Sequence, residues 1–372
     1  MPAPGQTGLR GVNMRILAAP AFSNEKINPY NALLYRQLQR LGVEVVEYTH
    51  QRALREHYAL AHFHWPDGYV NQPGLVKTLQ RLLLLSLVVL VLKRRGSKLV
   101  WTVHNTAPHD AWRPRLSQLF MQWFSRRCDG LIFMSEANKA SFYQRYQPAA
   151  HCQYAIIPHG HYRHCYPPAM AQQGAKTELQ LDPARKVLLY IGMIKPYKNV
   201  DGLMQAFNRA DLRDYQLVIA GNPDTPELRK QLQAMRGKRT HLFLHFIPDE
   251  ALHRYLSAAD LVILPYKAIL NSGTLLLALS YDKPVIAPHM GAVADLQREL
   301  GSQWVYGYAG ELNSHNLVQA VSALVRHART GPCPLDALDW DKLALATLAF
   351  YQDVLARTPL VQAGADLKQE HP

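Results

Sequence analysis

Short apolar runs alternate with longer amphipathic stretches along most of the chain. Five such runs occur in the first half, at residues 14–20, 43–48, 60–65, 98–104 and 130–135. Stretches between them, such as residues 31–41 and 116–128, carry apolar residues at helical spacing. This alternation predicts βαβ units and therefore a doubly wound parallel sheet.

A second series of apolar runs follows at residues 187–192, 215–221, 241–246, 261–266 and 283–288. Between the two series lie a segment rich in Pro and His at 156–168 and a polar segment at 169–176, which together predict a domain boundary. We therefore expect an α/β protein in which two Rossmann-like domains, 14–168 and 177–335, face each other across a cleft. The remaining segments are predicted to be a disordered lead-in at 1–13, a C-terminal helix at 336–358 that crosses back to the first domain, and a loose tail at 359–372.

The length and composition of the chain agree with this division. A chain of 372 residues is too long for one typical core, and a hydrophobic content of 48% predicts a globular protein. The four cysteines form no C-x-x-C pair and are too sparse for a disulfide scaffold. A reducing, cytoplasmic environment is therefore expected.

Positive charge is concentrated in the first half of the chain. Residues 1–165 contain 20 Lys and Arg against 8 Asp and Glu, whereas residues 166–372 contain 21 against 20. Such an excess indicates a polyanionic partner or a merely soluble basic surface. Because no motif that reads DNA or RNA is present, we expect an anionic membrane surface and no nucleic acid.

The run from Leu82 to Leu92 is strongly apolar and has basic residues on both sides. Eleven residues are too few to span a bilayer as a straight helix, which needs about 20. Two interpretations remain open, a helix buried in the domain and a helix that docks on the membrane surface. The basic flanks favour the second, and the first 13 residues lack the apolar run of a secretory signal.

Two strand-turn-helix segments of the second half offer candidate phosphate sites. In the first, Gly192, Lys195 and Lys198 follow an apolar run. In the second, the turn Asn271-Ser272-Gly273-Thr274 precedes an apolar helix, whose unpaired first-turn amides can bind an anion. Asn222 and Tyr266 end neighbouring runs and are expected on the same rim. The alternatives are ordinary helix caps and a solvated turn.

These segments resemble the GT-B glycosyltransferases related to the large retaining family 4. The resemblance is carried by GMIKPYKNV, VIAGN, AADLVILPY and SGTLLLALSYDKPVIAP. Gly192 and Lys198 match the glycine and lysine of the family's G-R-x-x-x-x-K segment, with Met193 in place of its arginine. The two glutamates that many retaining members use for the donor fall on Ile269 and Leu277.

The first half adds a narrower resemblance through NPYNALLY, HFHWP and TVHN. These segments are similar to bacterial β-mannosyltransferases that extend polyprenol-diphosphate-linked exopolysaccharide units. The resemblance implies an acceptor-binding first domain and a nucleotide-sugar-binding second domain, with no resident cofactor or metal. It also implies a cytoplasmic enzyme, peripheral at the inner face of the membrane, whose donor is GDP-mannose and whose acceptor is a lipid-linked glycan.

For the chemistry, inversion requires a base near the acceptor hydroxyl. We expect Asp110 in this role, with His104 as the second candidate, because both follow a predicted strand on the cleft rim. Asp110 could instead cap the next helix. Other cleft candidates are Asn105, Glu136 and His159.

Three further functions remain open from the sequence. The first is a retaining transferase that uses a UDP-sugar. The second is a sugar-nucleotide 2-epimerase of the same fold, and the third is a non-catalytic nucleotide-sugar binder.

Overall fold

The computed structural model describes residues 14–105, 113–267 and 272–356, and it contains two parallel six-stranded sheets. The first sheet has β1 (Met14–Ala19), β2 (Val43–Glu47), β3 (Leu60–Phe63), β4 (Lys98–Val103), β5 (Gly130–Phe133) and β6 (Gln153–Ile156). Its helices are α1 (Tyr30–Arg40), α2 (His50–Arg55), α3 (Pro66–Val70), α4 (Leu75–Arg94), α5 (Pro114–Ser125) and α6 (Glu136–Arg145).

The second sheet has β7 (Lys186–Ile191), β8 (Tyr215–Ala220), β9 (Thr240–Phe243), β10 (Leu261–Ile263), β11 (Val285–Pro288) and β12 (Val305–Tyr308). Its helices are α7 (Gln172–Glu178), α8 (Val200–Arg209), α9 (Pro226–Ala234), α10 (Asp249–Ala258), α11 (Gly273–Ser280), α12 (Ala292–Leu300) and α13 (Ser314–Arg326). The chain then continues into α14 (Trp340–Ala356). Short 3-10 turns lie at Pro196–Lys198 and Asp336–Leu338.

Both sheets reverse their strand order once. The orders are β2-β1-β3-β4-β5-β6 and β12-β11-β10-β7-β8-β9, so the reversals lie between β1 and β3 and between β7 and β10. Ligands of open parallel sheets bind outside the carboxyl ends of the strands at such a reversal. The topology therefore places one candidate site in each domain.

The ten strands predicted from apolar runs are all present, whereas β6 and β12 are not among the predicted strands. Both are edge strands. The residues of β6 alternate between half-buried and exposed, and the middle of β12 is only half-buried. An edge strand needs less apolar sequence than a central one, so the apolar pattern gave little signal here.

Helix α14 returns to the first domain and packs beside α1. Its buried residues Leu343, Tyr351 and Val354 join the core on the α1 face of the first sheet. At its start, the Trp340 indole N–H donates to the carbonyl oxygen of His161 at 2.7 Å. The predicted helix that crosses back is confirmed over its described residues, and residues 1–13 and 357–372 lie outside the described part of the chain. The exact domain boundaries remain predictions.

Helix α4 is longer than the apolar run from which it was predicted. It has 20 residues and, among the described residues, is the one helix long and apolar enough to cross a membrane by length and composition, with a mean hydropathy of 2.1. The expectation from the sequence considered only the uninterrupted apolar run of 11 residues, whereas the helix that contains it has 20. One face of α4, through Leu85, Val88 and Val89, is part of the core against the sheet.

Candidate active site

The carboxyl end of β7 approaches β8 very closely. Gly192 has a φ of 127°, in the region that favours glycine. A Cβ atom at Gly221 would lie 1.8 Å from the Gly192 carbonyl oxygen. Because neither position accepts a side chain without movement, these glycines keep the β7 turn open to a ligand.

Lys198 and Thr274 meet at this turn. A Cβ atom at Gly192 would lie 3.7 Å from the Lys198 Nζ and 3.6 Å from the Thr274 Oγ1. Burial lowers the pKa of Lys198, and the nearby Lys195 lowers it further. A bound anion would offset that cost, because it would supply a counter-charge to the buried ammonium group. The structure thus brings Gly192, Lys195 and Lys198 together with the start of α11.

The N-terminus of α11 is capped by Ser272, whose Oγ accepts the Leu275 amide at 3.2 Å. The simple capping role is therefore correct for the Ser272 hydroxyl. The amides of Gly273 and Thr274 also belong to the first turn and have no acceptor within the helix. They are the donors that this helix end offers to an anion.

Tyr266 contacts both Lys198 and the first turn of α11. Its ring is buried, lies 5.1 Å from the Lys198 Nζ, and its hydroxyl is hydrogen-bonded to Thr274 and Ser272. Burial raises its pKa to about 12. Asn222 is exposed at the end of β8, where its side-chain oxygen accepts from Arg229 at 3.2 Å. Asn271 and Asp110 lie outside the described residues.

In the first domain, His104 follows β4 directly and sits in a pocket of aromatic rings. Trp65 stacks on its imidazole with ring centroids 4.2 Å apart, and Tyr30 meets it edge-on at 4.9 Å. His159 lies on another side of Tyr30, at 4.8 Å. Burial lowers the pKa of His159 to about 4 and that of His104 well below its usual value. Both imidazoles are therefore neutral at physiological pH.

Behind His104 runs a chain of buried hydrogen bonds. The His104 Nε2 contacts the His64 Nδ1 at 3.0 Å, and the His64 Nε2 contacts the Tyr35 hydroxyl at 2.6 Å. That hydroxyl and the Tyr351 hydroxyl both reach the His62 Nδ1, at 2.9 and 2.5 Å. The chain ends where the His62 Nε2 meets the Thr102 Oγ1 at 2.7 Å.

The two halves of the site touch through the interdomain segment. The Tyr162 amide donates to the Ser280 Oγ of α11 at 2.8 Å. A Cβ atom at Gly273 would lie 3.1 Å from the Tyr162 hydroxyl and 3.9 Å from the His159 Nε2. The first turn of α11 therefore lies beside His159, and His159 and His104 both contact the ring of Tyr30.

Known proteins are similar to this chain in sequence and in architecture. A GDP-mannose:glycolipid 4-beta-D-mannosyltransferase of Xanthomonas campestris is 32% identical over 356 residues, which cover 92% of this chain and 95% of that relative. The family described as Glycosyl transferases group 1 matches residues 172–327.

The chain belongs to the group 1 glycosyltransferases.

Solved structures support the fold of this glycosyltransferase. A sucrose-phosphate synthase of Thermosynechococcus elongatus superposes with a TM-score of 0.66 at 17% identity, covering 92% of this chain and all of that one. The catalytic domain of starch synthase IV of Arabidopsis thaliana, bound to ADP and acarbose, gives 0.61 at 14% identity, over 93% of this chain and all of that one. These likenesses confirm the GT-B architecture expected from the sequence.

The first domain of the glycosyltransferase also has an anion-binding turn, but a side chain of the protein fills it. After β1, the amides of Ala21, Phe22 and Ser23 all donate to the Glu47 carboxylate, at 2.6–3.2 Å. The Ser23 hydroxyl donates to it as well, at 2.9 Å. A carboxylate bound in this way excludes a phosphate from the turn.

The remaining candidates lie at the edge of this arrangement. Glu136 is exposed in the first turn of α6 and pairs with Lys139 at 2.7 Å, so the structure does not bring it to the histidines. Asn105 is half-buried next to His104. Leu277, at the place of a family glutamate, is buried in the α11 core. Within the three described segments, no group of three His, Cys, Asp or Glu side chains is arranged to hold a metal ion.

The sequence analysis named His104 and His159 as site candidates but gave no site role to His62, His64, Tyr35 or Tyr351. One local signal was present, because residues two apart on a strand face the same side of a sheet. His62 and His64 are two apart, so they could have been placed together. No local pattern could have joined them to Tyr351, which lies 289 residues from His62.

Proposed function

We propose that this glycosyltransferase transfers mannose from GDP-mannose to a lipid-linked glycan, with inversion, in the assembly of a bacterial exopolysaccharide. The observation that carries the proposal is the 32% identity, over nearly the whole chain, to a relative named for GDP-mannose, a glycolipid and a β-linkage. A β-mannoside formed from the α-linked donor requires inversion at the anomeric carbon.

The geometry of the second domain supports a nucleotide diphosphate as leaving group. Lys198, Lys195 and the first-turn amides of α11 offer positive charge and donors where the diphosphate would lie, so the leaving group can be stabilised without a metal ion. Leu277 stands where a retaining member has a carboxylate, which favours an inverting reaction. Asp110 remains the proposed base.

Donor identity is tested by thermal shift of the purified protein with GDP, GDP-mannose, UDP and UDP-glucose, each with and without magnesium. Selective stabilisation by GDP and GDP-mannose supports the proposal. A preference for UDP compounds would discard the donor and favour the retaining alternative. A stabilisation that appears only with magnesium would contradict the metal-independent site.

The diphosphate site is tested by Lys198→Ala with Lys230→Ala as control, since Lys230 is exposed on α9 away from the β7 turn. Losing a charged hydrogen-bond donor costs about 1.5–3 kcal/mol, so GDP should bind roughly 10- to 100-fold more weakly to Lys198→Ala. The control should bind as the unchanged protein does. Equal affinity of the two variants would remove the β7 turn from the donor site.

We further propose that α4 docks on anionic lipid at the inner face of the membrane. Its outward surface is a continuous apolar stripe, the α4 leucine face, made of Leu75, Val76, Leu79, Leu83, Leu87 and Leu90. Leu83 is 69% exposed, and the nearby Lys77, Arg81 and Arg94 are exposed as well. An apolar stripe with basic neighbours suits an anionic bilayer surface.

The position of α4 fits an acceptor held by the membrane. In a parallel sheet the helix after a strand begins at the strand's carboxyl end, so the N-terminal end of α4 lies toward the rim where His64 and His104 stand. A lipid-linked acceptor at the bilayer surface would thus reach the cleft from the start of this helix.

Replacing Leu83, Leu87 and Leu90 with Gln tests the docking. Sedimentation with vesicles that contain anionic lipid should fall at least tenfold, while GDP binding stays unchanged, because the buried face of α4 is untouched. Replacing the exposed Val325 and Leu345 with Gln is the control. Equal loss of vesicle and GDP binding would indicate misfolding and a purely structural helix.

A further inference from the structure

The donor and the acceptor of each hydrogen bond in the buried chain behind His104 can be assigned, starting from Thr102. Within the described residues, the hydrogen bond that the Thr102 hydroxyl makes is the one to the His62 Nε2, and Thr102 is fully buried. A buried O–H without an acceptor costs more than a hydroxyl lone pair without a donor. The Thr102 hydroxyl therefore donates, and the His62 Nε2 accepts.

The role of Thr102 as donor determines the donor and the acceptor of each of the remaining bonds. Because burial lowers the pKa of His62 to about 3, its ring is neutral and carries its proton on Nδ1. That N–H donates to the hydroxyl oxygens of Tyr351 and Tyr35, which are also hydrogen-bonded to each other. The Tyr35 hydroxyl is left to donate to the His64 Nε2.

The same reasoning assigns the ring proton of His104. Since the His64 Nε2 accepts, the neutral His64 carries its proton on Nδ1 and donates to the His104 Nε2. Burial and the neighbouring histidines keep His64 and His104 uncharged. His104 must consequently hold its own proton on Nδ1, the other ring nitrogen.

We propose that this chain locks His104 in its Nδ1–H form, in which neither ring nitrogen has a lone pair available to accept a proton, so that His104 is not the base. Tyr35 and His64 are then positioning residues, which act through His104. The catalytic part of the proposal rests on the inverting reaction of the proposed function, which requires a base. It assigns the base to another group, for which Asp110 is the sequence-based candidate.

Nitrogen-15 spectra of histidine-labelled protein test the locked form without any substrate. The expected result is the Nδ1–H pattern for His62, His64 and His104, and an Nε2–H pattern for His104 would overturn the proposal. Since this measurement uses the protein alone, it is independent of the donor screen. A failed screen with an Nδ1–H His104 would remove GDP-mannose and leave the lock in place.

Two tyrosines that touch the same nitrogen of His62 provide a matched pair of variants. Tyr35→Phe removes the only link from His62 to His64 in the described chain of bonds, so His64 and His104 should become mixtures of both forms. Tyr351→Phe leaves the direct contact between His62 and Tyr35, so the Nδ1–H pattern of His104 should persist. Identical spectra of His104 in the two variants would overturn the proposal.

Replacements of His104 itself separate a donor from a base. The side-chain amide of Asn can place an N–H near the position of Nδ1, whereas the carboxylate of Asp places an acceptor there. If His104 donates, His104→Asn should retain at least tenfold more kcat than His104→Asp, at similar affinity for GDP. Greater activity of His104→Asp would show that the position works as a base.

Discussion

The three buried histidines of the first domain predict a specific sensitivity to acid. His62, His64 and His104 have almost no exposed surface, and burial lowers the pKa of each below its usual value of about 6.5. In the unfolded chain they bind protons below pH 6.5, while in the folded protein they stay neutral. The unfolded state therefore holds more protons, and stability is present above pH 6.5 and lost as the pH falls below it.

The size of the effect follows from the same pKa difference. At pH 5.5, one unit below the unfolded pKa, protonation favours the unfolded state by about 1.4 kcal/mol for each histidine. These three histidines give roughly 4 kcal/mol between pH 7.5 and pH 5.5, and His159, whose pKa burial lowers to about 4, adds about 1.4 kcal/mol. A typical domain has a stability of about 5–15 kcal/mol, so the loss is a large share of the total.

Urea unfolding followed by circular dichroism at pH 7.5 and pH 5.5 measures this loss. His64→Gln should reduce the pH-dependent part by about a quarter, whatever its effect on absolute stability. The control is His315→Gln, because His315 is exposed at the start of α13. A free energy of unfolding that changes by less than about 1 kcal/mol between the two pH values would refute the burial argument.

Three substitutions probe other parts of the fold. Gly221→Ala forces a Cβ atom against the carbonyl of the β7 turn, so we expect a loss of about 1–3 kcal/mol in urea unfolding together with weaker GDP binding; unchanged GDP affinity would show that the turn can adapt. Asp129→Asn weakens the 2.6 Å contact with Lys93 that anchors the end of α4, and should cost about 2 kcal/mol, read from the urea midpoint. Trp340→Phe removes the donor to the His161 carbonyl, and should cost about 1–3 kcal/mol in thermal unfolding; an unaltered melting temperature would contradict the anchoring of α14.

The sequence predicted the central strands because burial on both faces leaves a near-continuous apolar run. All six residues of β8, for example, are buried. The edge strands β6 and β12 were missed because their sequences, QYAI and VYGY, lack a run of aliphatic residues and the burial of their side chains is incomplete. Edge position alone does not explain the misses, since the edge strands β2 and β9 were predicted from their more apolar runs.

For α4, sequence located the apolar run but neither its full length nor its orientation. The helix begins at Leu75, seven residues before the run, because Lys77, Gln80 and Arg81 interrupt the apolar pattern without interrupting the helix. Almost every position of the run is apolar, so the composition does not distinguish the face on the sheet from the α4 leucine face. Only the packing against the sheet makes that distinction.

The sequence indicates which residues of the second domain lie together more readily than which residues surround His104, for a physical reason. Gly192, Lys198 and Ser272-Gly273-Thr274 each follow a strand within a few residues, so topology alone brings them to one edge. The pocket around His104 needs Tyr30 from α1, Trp65 after β3 and His159 from the interdomain segment. Such a pocket depends on tertiary packing that local patterns do not encode.

The two halves of the site differ in charge in a way that constrains the bound donor. The second domain offers ammonium groups and helix amides, while the described groups around His104 are aromatic rings and neutral imidazoles. The one anion-binding turn identified in the first domain is occupied by Glu47. We therefore expect a diphosphate to bind the second domain, because an uncharged sugar attached to it can extend toward His104 without losing favourable charge contacts. The transferred hexose would then lie between Gly273 and the neutral, aromatic pocket around His104.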